Sequence, residues 1–225
     1  MSKRKLIVLF SILAAALIAP YLAGLWLAGP DHVFGGFLFN PLDGNSYLAK
    51  MRLGWQGEWR FQLTYSPEPG KGAYLFLFYI FLGHLARISG ISLPSMFHLA
   101  RLLSSALLIY AFLRLYRRWL GDFSPWGFHL LVALTVFGSG MGWIAALFGA
   151  FTSDLWVSEA YPFLSMYANP HFPLSLALLL VYYDLLASGA RWRQFPLVFT
   201  FGLALAVIQP FAVVVGAVIS FGYLL

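Results

Sequence analysis

The sequence contains no cysteine and few charged residues. The absence of cysteine excludes disulfide bonds, thiolate metal sites and thiol nucleophiles. Only 10% of the 225 residues are charged and 61% are hydrophobic, whereas a soluble domain carries about 25% charged residues. The composition therefore predicts an integral membrane protein.

The formal net charge of +6 comes mainly from clustered basic residues. Eight of the fourteen Lys and Arg residues lie in three clusters: Lys3-Arg4-Lys5, Arg114/Arg117/Arg118 and Arg191/Arg193. Basic clusters beside apolar segments are typical of membrane topology signals, and they do not form a continuous surface for a phosphate backbone. We expect membrane lipids as partners and no nucleic acid.

The apolar segments show no alternation of apolar and polar residues, so helices are the expected spanning elements. The predicted fold is all-α, a polytopic transmembrane helical bundle with a large first outer loop that contains short interfacial helices. The predicted spans are residues 6–28, 96–116, 125–150, 172–188 and 195–222. The predicted outer loops are residues 29–95 and 152–171.

The number of spans depends on residues 73–82, an apolar segment inside the first outer loop. It is shorter than the about 20 residues that cross a bilayer. If it crossed, the second and third basic clusters would lie outside, against the positive-inside rule, whereas otherwise both lie inside. We therefore predict that it does not cross, and that the N-terminus is cytoplasmic in a bacterial inner membrane.

The two ends of the chain also carry predictions. The apolar run from Leu6 to Leu27 is longer than the about 7–15 residues of a signal-peptide core, so we expect a retained first helix. The last apolar segment has no polar tail. We therefore expect residues 1–225 to be one transmembrane domain that forms the N-terminal part of a longer protein.

Residues 31–71 form a polar segment between apolar ones, where charged side chains must lie in water or at the interface. Asp43 or Ser46 is expected to cap a short helix, with Tyr47 and Lys50 on the same side as Asp43. A capped amphipathic helix with Lys50 reaching the interface explains this pattern without any chemistry, and this interpretation stays open.

Several short motifs follow one another in the first half of the chain. They are Asp43, Tyr47 and Ala49, Gly57-Glu58-Trp59, Pro67 to Tyr74, Leu82-Gly83, and Ala100-Arg101-Leu102-Leu103-Ser104. The order of these motifs resembles the first outer loop of GT-C fold glycosyltransferases, in the branch of protein mannosyltransferases and lipid A aminoarabinose transferases. The resemblance covers roughly residues 1–120 and departs from the family's lysine motif, where Gly72-Ala73 replaces two prolines.

The resemblance implies a transfer of sugar from a polyprenyl-phosphate donor to a lipid, glycan or protein acceptor on the outer face. Asp43 would then accept or orient the proton of the acceptor hydroxyl. Lys71 and Arg101 would contact the departing phosphate, a role that suits cations. Arg101 also fits the description of an arginine that snorkels from a membrane span.

The second outer loop contains Asp154, Glu159 and His171. The resemblance implies a second acidic residue here, Asp154 or Glu159, and His171 is a candidate on the acceptor side. Carboxylates at this position are able to bind a divalent metal or to share acid and base roles, so the metal requirement stays open. A polar turn that ends at Asn169-Pro170 is the alternative interpretation.

The main alternative to an enzyme is a non-enzymatic polytopic protein, either a transporter or an assembly scaffold. Transporters place charged groups within their helices near the midplane, whereas the acidic residues here crowd into the predicted outer loops. Two further patterns concern packing. The small residues Gly138 to Gly142 predict close helix approach, and Gln209-Pro210 predicts a break in the last span.

Overall fold

A computed structural model describes residues 3–63, 66–68, 70–121, 124–188 and 194–224, of which residues 3–6, 125, 223 and 224 have a described backbone only. Within these ranges the chain is helical and contains no β-strand, so the all-α prediction is confirmed. Its helices are α1 (Lys3–Leu27), α2 (Pro41–Gln56), α3 (Leu77–Ser89), α4 (Leu93–Trp119), α5 (Pro125–Phe137), α6 (Gly142–Ala146), α7 (Pro162–Ala168), α8 (His171–Ala187), α9 (Phe195–Ile208) and α10 (Pro210–Leu224). The chain forms two compact units, residues 1–106 and 107–225.

Among the described helices, two are long and apolar enough to cross a membrane, Ile7–Leu27 within α1 and Leu93–Trp119, which is α4. At 1.5 Å per residue the shorter one extends about 31 Å, which matches the hydrocarbon thickness of a bilayer. Signal sequences and buried core helices share this length and composition. The bundle of five spans therefore stays a prediction.

The other predicted spans contain shorter helices. Residues 125–150 hold α5 and the five-residue α6, which are separated at residues 138–141. The last predicted span is divided at Gln209, whose backbone is not helical (φ −149°, ψ 87°). Pro210 explains this break because it has no N–H to donate to the preceding turn and disfavours helical geometry in the residue before it.

In the first unit, α2 and α3 cross so closely that their backbones are in contact. A Cβ atom added to Gly54 would lie 1.9 Å from the carbonyl oxygen of Ile80, and one added to Gly83 would lie 1.9 Å from that of Met51. No larger residue fits at either position without separating the helices. The crossing is continuous with an apolar core that includes Met51, Leu82 and Phe97.

In the second unit, a buried carboxylate joins the end of α4 to the end of α8. Asp184 of α8 accepts hydrogen bonds from Arg114, Arg118 and the indole N–H of Trp119 at 3.0–3.2 Å. Its side chain is 3% exposed, while the two arginines are nearly half exposed. The second basic cluster thus has a structural role in addition to its predicted topological one. Arg191 and Arg193 lie outside the described residues.

Candidate functional site

Asp43 lies in the first turn of α2 and is exposed. We expected Asp43 or Ser46 to cap this helix, but the helix begins earlier, with Asn40 at the cap position and Pro41 as its first residue. Proline suits the first helical position because its φ is already helical and no N–H partner is needed there. The Asn40 amide donates a 2.5 Å hydrogen bond to the Asp43 carboxylate.

Lys50 lies two turns further along α2 and is buried. Its ammonium donates a 2.8 Å hydrogen bond to the Ser46 hydroxyl. It also lies 4.6 Å from the ring centre of Tyr47 and 4.1 Å from that of Phe76, where ring faces attract a cation. Burial lowers the pKa of Lys50, and the negative charge of Asp43 partly opposes this shift.

Tyr47 stacks on Tyr79 of α3, with ring centres 4.2 Å apart and ring planes 9° apart. Phe97 of α4 lies beside this pair, with its ring centre 6.5 Å from that of Tyr47 and 6.3 Å from that of Tyr79. Burial raises the pKa of Tyr79 well above its ordinary value, and the charges of Tyr47 and Asp43 add to the effect. Tyr79 was not among the predicted site residues, although this residue shares one face of α3 with Leu82, Gly83 and Ala86 at helical spacing.

Lys71 is exposed in a loop that a β-bridge between Phe61 and Ala73 closes at its base. The bridge consists of two backbone hydrogen bonds of 2.8 and 3.0 Å. Gly72 beside it has a φ of +71°, and an added Cβ would lie 3.0 Å from the Phe61 carbonyl oxygen. Proline cannot adopt a positive φ, so it would not fit at Gly72.

The turn at Gly57-Glu58-Trp59 is held against α3 by His84. A ring nitrogen of His84 lies 3.0 Å from the Glu58 carbonyl oxygen, and its ring stacks on Trp59 at 4.2 Å. Gly57 ends α2 with a φ of 102°, a conformation that favours glycine. This part of the resembling motif therefore orients the loop, while the Glu58 side chain stays exposed.

Arg101 is 1% exposed and joins α4 to α1 within the first unit. Its guanidinium donates a 3.1 Å hydrogen bond to the Leu17 carbonyl oxygen and lies 4.3 Å from the ring centre of Tyr21. Neighbouring His98 also contacts the Tyr21 ring and the Gly36 carbonyl oxygen. These contacts give Arg101 a structural role and leave Lys71 as the accessible cation of the two predicted phosphate ligands.

Asp154 in the second unit holds the start of α6. Its carboxylate accepts hydrogen bonds from the Thr152 hydroxyl and, at 2.8 Å, from the Gly142 backbone N–H. These two hydrogen bonds lower the pKa of Asp154. A Cβ atom on Gly142 would lie 2.0 Å from the Asp154 carboxylate, so the small residue makes room for this side chain and not for a neighbouring helix.

Glu159 and His171 have different surroundings in the second unit. Glu159 is exposed and borders a cavity of about 200 Å³. His171 is the first residue of α8 and is 9% exposed. Its ring packs against that of Phe172, with ring centres 3.9 Å apart. Tyr161 lies in the same loop, and burial, followed by the charge of Asp154, raises its pKa.

The predicted site residues divide between the two units. Asp43, Lys71 and Arg101 belong to the first, and Asp154, Glu159 and His171 belong to the second. In the first unit, Lys50, Tyr47 and Tyr79 surround Asp43. We call these four residues the Asp43 cluster. In the part of the chain that the structure describes, no three His, Asp or Glu side chains form a group suited to a metal ion.

Comparisons with known proteins give no relative for this chain. No protein-family model matches it, and neither the curated proteins nor the solved structures contain a significant match.

Proposed function

We propose that the protein is a membrane glycosyltransferase of GT-C type that takes its sugar from a polyprenyl-phosphate donor. The observation that carries this proposal is the exposed Asp43 carboxylate at the start of α2, in the same helix as the buried Lys50. Among the described residues the Asn40 amide is the hydrogen-bond partner of this exposed carboxylate, which has oxygen lone pairs left for a substrate hydroxyl. The motif resemblance supplies the reaction class.

The position of the Asp43 cluster in the chain supports a reaction at a membrane surface. The cluster lies between the two candidate spans, Ile7–Leu27 and Leu93–Trp119. The 13 residues of α3 extend only about 20 Å, which is too short to cross a bilayer of about 30 Å. If both candidate spans cross, residues 28–92 are tethered at both ends to the same face, which we propose is the outer face of a bacterial inner membrane.

The proposed reaction uses groups of the first unit. The Asp43 carboxylate accepts the proton of the acceptor hydroxyl while the hydroxyl oxygen forms a bond to the anomeric carbon of the donor sugar. The bond from that carbon to the phosphate oxygen breaks, and its electron pair leaves with the polyprenyl phosphate, which the exposed Lys71 stabilises. The proposal assigns no step to Arg101, Asp154, Glu159 or His171.

The test is donor consumption by the purified chain in proteoliposomes. The donors are a panel of polyprenyl-phosphate sugars. Each assay also contains an extract of membrane lipids as a source of acceptors. Removing a general base slows a reaction by about 10²–10⁴-fold, so we expect a loss of this size in Asp43→Asn. Asp31→Asn is the matched control, because Asp31 is also exposed in the first polar segment.

Two results would contradict the proposal. If the wild type consumes no donor of the panel, the non-enzymatic alternative is favoured. If Asp43→Asn keeps the wild-type rate while its circular dichroism is unchanged, Asp43 is not the base. A larger loss in Asp31→Asn than in Asp43→Asn would move the site away from the Asp43 cluster.

A further inference from the structure

The cavity in the second unit lies between α8 and α10. One wall consists of α8 residues spaced three, four and seven positions apart, which places them on one helix face: Phe172, Ser175, Leu176 and Leu179. The other wall is formed by Phe211, Ala212 and Val215 of α10. The cavity is therefore a cleft between two helices and runs along about two turns of α8.

The break at Gln209 shapes this cleft. Gln209 is buried, and its side-chain oxygen accepts a hydrogen bond from the Ser175 hydroxyl. Two turns further along α8, the Tyr183 hydroxyl donates to the Val215 carbonyl oxygen at 3.2 Å. The first contact lies within the lining of the cavity, and the second lies beyond Leu179 of α8. The later residue of α8, Tyr183, contacts the later residue of the other segment, Val215. The two segments α8 and α10 therefore run in the same direction there.

The polar lining residues of the cleft lie toward one end, where Phe172 and Phe211 also line it, and the other end is apolar. Ser175 and Gln209 belong to the first end, and the polar lining residues Ser165 and Glu159 precede α8 in the chain. Leu179 and Val215 lie toward the apolar end, next to the hydrogen bond between Tyr183 and the Val215 carbonyl oxygen. Such a division suits an amphiphile, because its chain replaces water at the apolar end while its head finds hydrogen-bond partners at the other.

Charge and size restrict the occupant. Among the described lining residues Glu159 is the ionisable one, and none of them is Lys, Arg or His. A phosphate head would meet this carboxylate without a cation from these residues, whereas hydroxyl groups donate to a carboxylate and to the amide oxygen of glutamine. The volume of about 200 Å³ is below the about 300–1,000 Å³ of pockets for drug-sized ligands, so it accommodates one slender chain.

We propose that this cleft binds a single-chain amphiphile whose head carries hydroxyl groups and no negative charge. This proposal does not rest on the transfer reaction proposed for the Asp43 cluster, since its argument uses lining residues of the second unit alone. The alkyl chain lies between Leu179 and Val215, and the head lies at Glu159 and Gln209.

Photolabelling tests this proposal with the full chain in nanodiscs. The probe is decyl glucoside with a diazirine in its chain, and the matched probe is decyl phosphate with the same diazirine. We expect the glucoside probe to label peptides that contain residues 172–179 or 211–215, in a saturable way that unlabelled decyl glucoside abolishes. We expect at least tenfold weaker labelling of these peptides by the phosphate probe. Equal labelling by both probes, or labelling only elsewhere, would overturn the proposal.

Two pairs of variants locate the chain and the head. Leu179→Trp fills the apolar end, so it should reduce labelling at least tenfold, while Leu178→Trp, on a different face of the same helix, should leave labelling unchanged. Glu159→Lys changes an exposed side chain, and we expect it to reverse the preference in favour of the phosphate probe. A preference that Glu159→Lys leaves unchanged would contradict the placement of the head.

Discussion

The interactions within the first compact unit differ from those within the second. At the centre of the first unit, α2 and α3 touch through the backbone at Gly54 and Gly83, and a stack of aromatic rings continues the contact. In the second unit, the charged side chains of Asp184 and Asp154 join separate segments. The comparison shows that Asp184 and Asp154 use both carboxylate oxygens for contacts within the protein, whereas the contact of Asp43 with Asn40 uses one.

The largest expected effect comes from Gly54→Ala in the first unit. The added Cβ would lie 1.9 Å from the Ile80 carbonyl oxygen, so the two helices must separate. Overpacking of this kind costs typically about 1–3 kcal/mol, and we expect a loss near the upper limit in the free energy of unfolding. Equilibrium unfolding in mixed micelles, followed by circular dichroism, measures it. Gly35→Ala is the control, because nothing lies within 4 Å of its added Cβ, and equal losses in both variants would refute the close crossing.

A smaller loss is expected for Asp184→Ala in the second unit. The substitution leaves the Trp119 N–H and two guanidinium groups without their carboxylate, but the arginines are 47% and 40% exposed and find water. We therefore expect a destabilisation of about 2 kcal/mol, less than for a fully buried ion pair. The same unfolding measurement checks it, with Glu159→Gln as the exposed control. No difference between these two variants would show that the ionic contact does not stabilise the unit.

The smallest expected effect is a pH dependence that comes from Asp154. Its hydrogen bonds to Thr152 and Gly142 lower its pKa in the folded state below the ordinary value of 3.8. The carboxylate therefore stabilises the fold above that value, and its contribution is lost as the pH falls through the lowered folded-state pKa. Comparison of melting temperatures from neutral to acidic pH should show this loss in the wild type and not in Asp154→Asn. Parallel curves for the two proteins would exclude the effect.

The sequence predicted several local features correctly because each has a local cause. Helices were expected from the absence of alternating polarity, and the described part of the chain is helical. The break at Gln209-Pro210 was expected as well, since proline removes a backbone donor wherever it stands. The start of α2 was predicted too late, because Asn40 and Pro41 begin the helix before Asp43.

The surroundings of the candidate residues were harder to predict. Arg101 and Lys71 are both basic residues in resembling motifs, yet one is buried against α1 and the other is exposed. Nothing in the local sequence distinguishes them, since burial depends on a helix about 84 positions away in the chain. Lys50 illustrates the same limit, because Phe76, which contacts its ammonium, comes from a distant segment.

The sequence by itself determined that the chain is helical and apolar, that its charges are concentrated in a few segments, and where proline interrupts a helix. These properties follow from composition and from the geometry of single residues. Only the tertiary structure decided which carboxylates are available. Asp43 is exposed while Asp154 and Asp184 are engaged, because availability depends on the donors that other segments bring to each carboxylate, and these donors meet it only after the helices have packed.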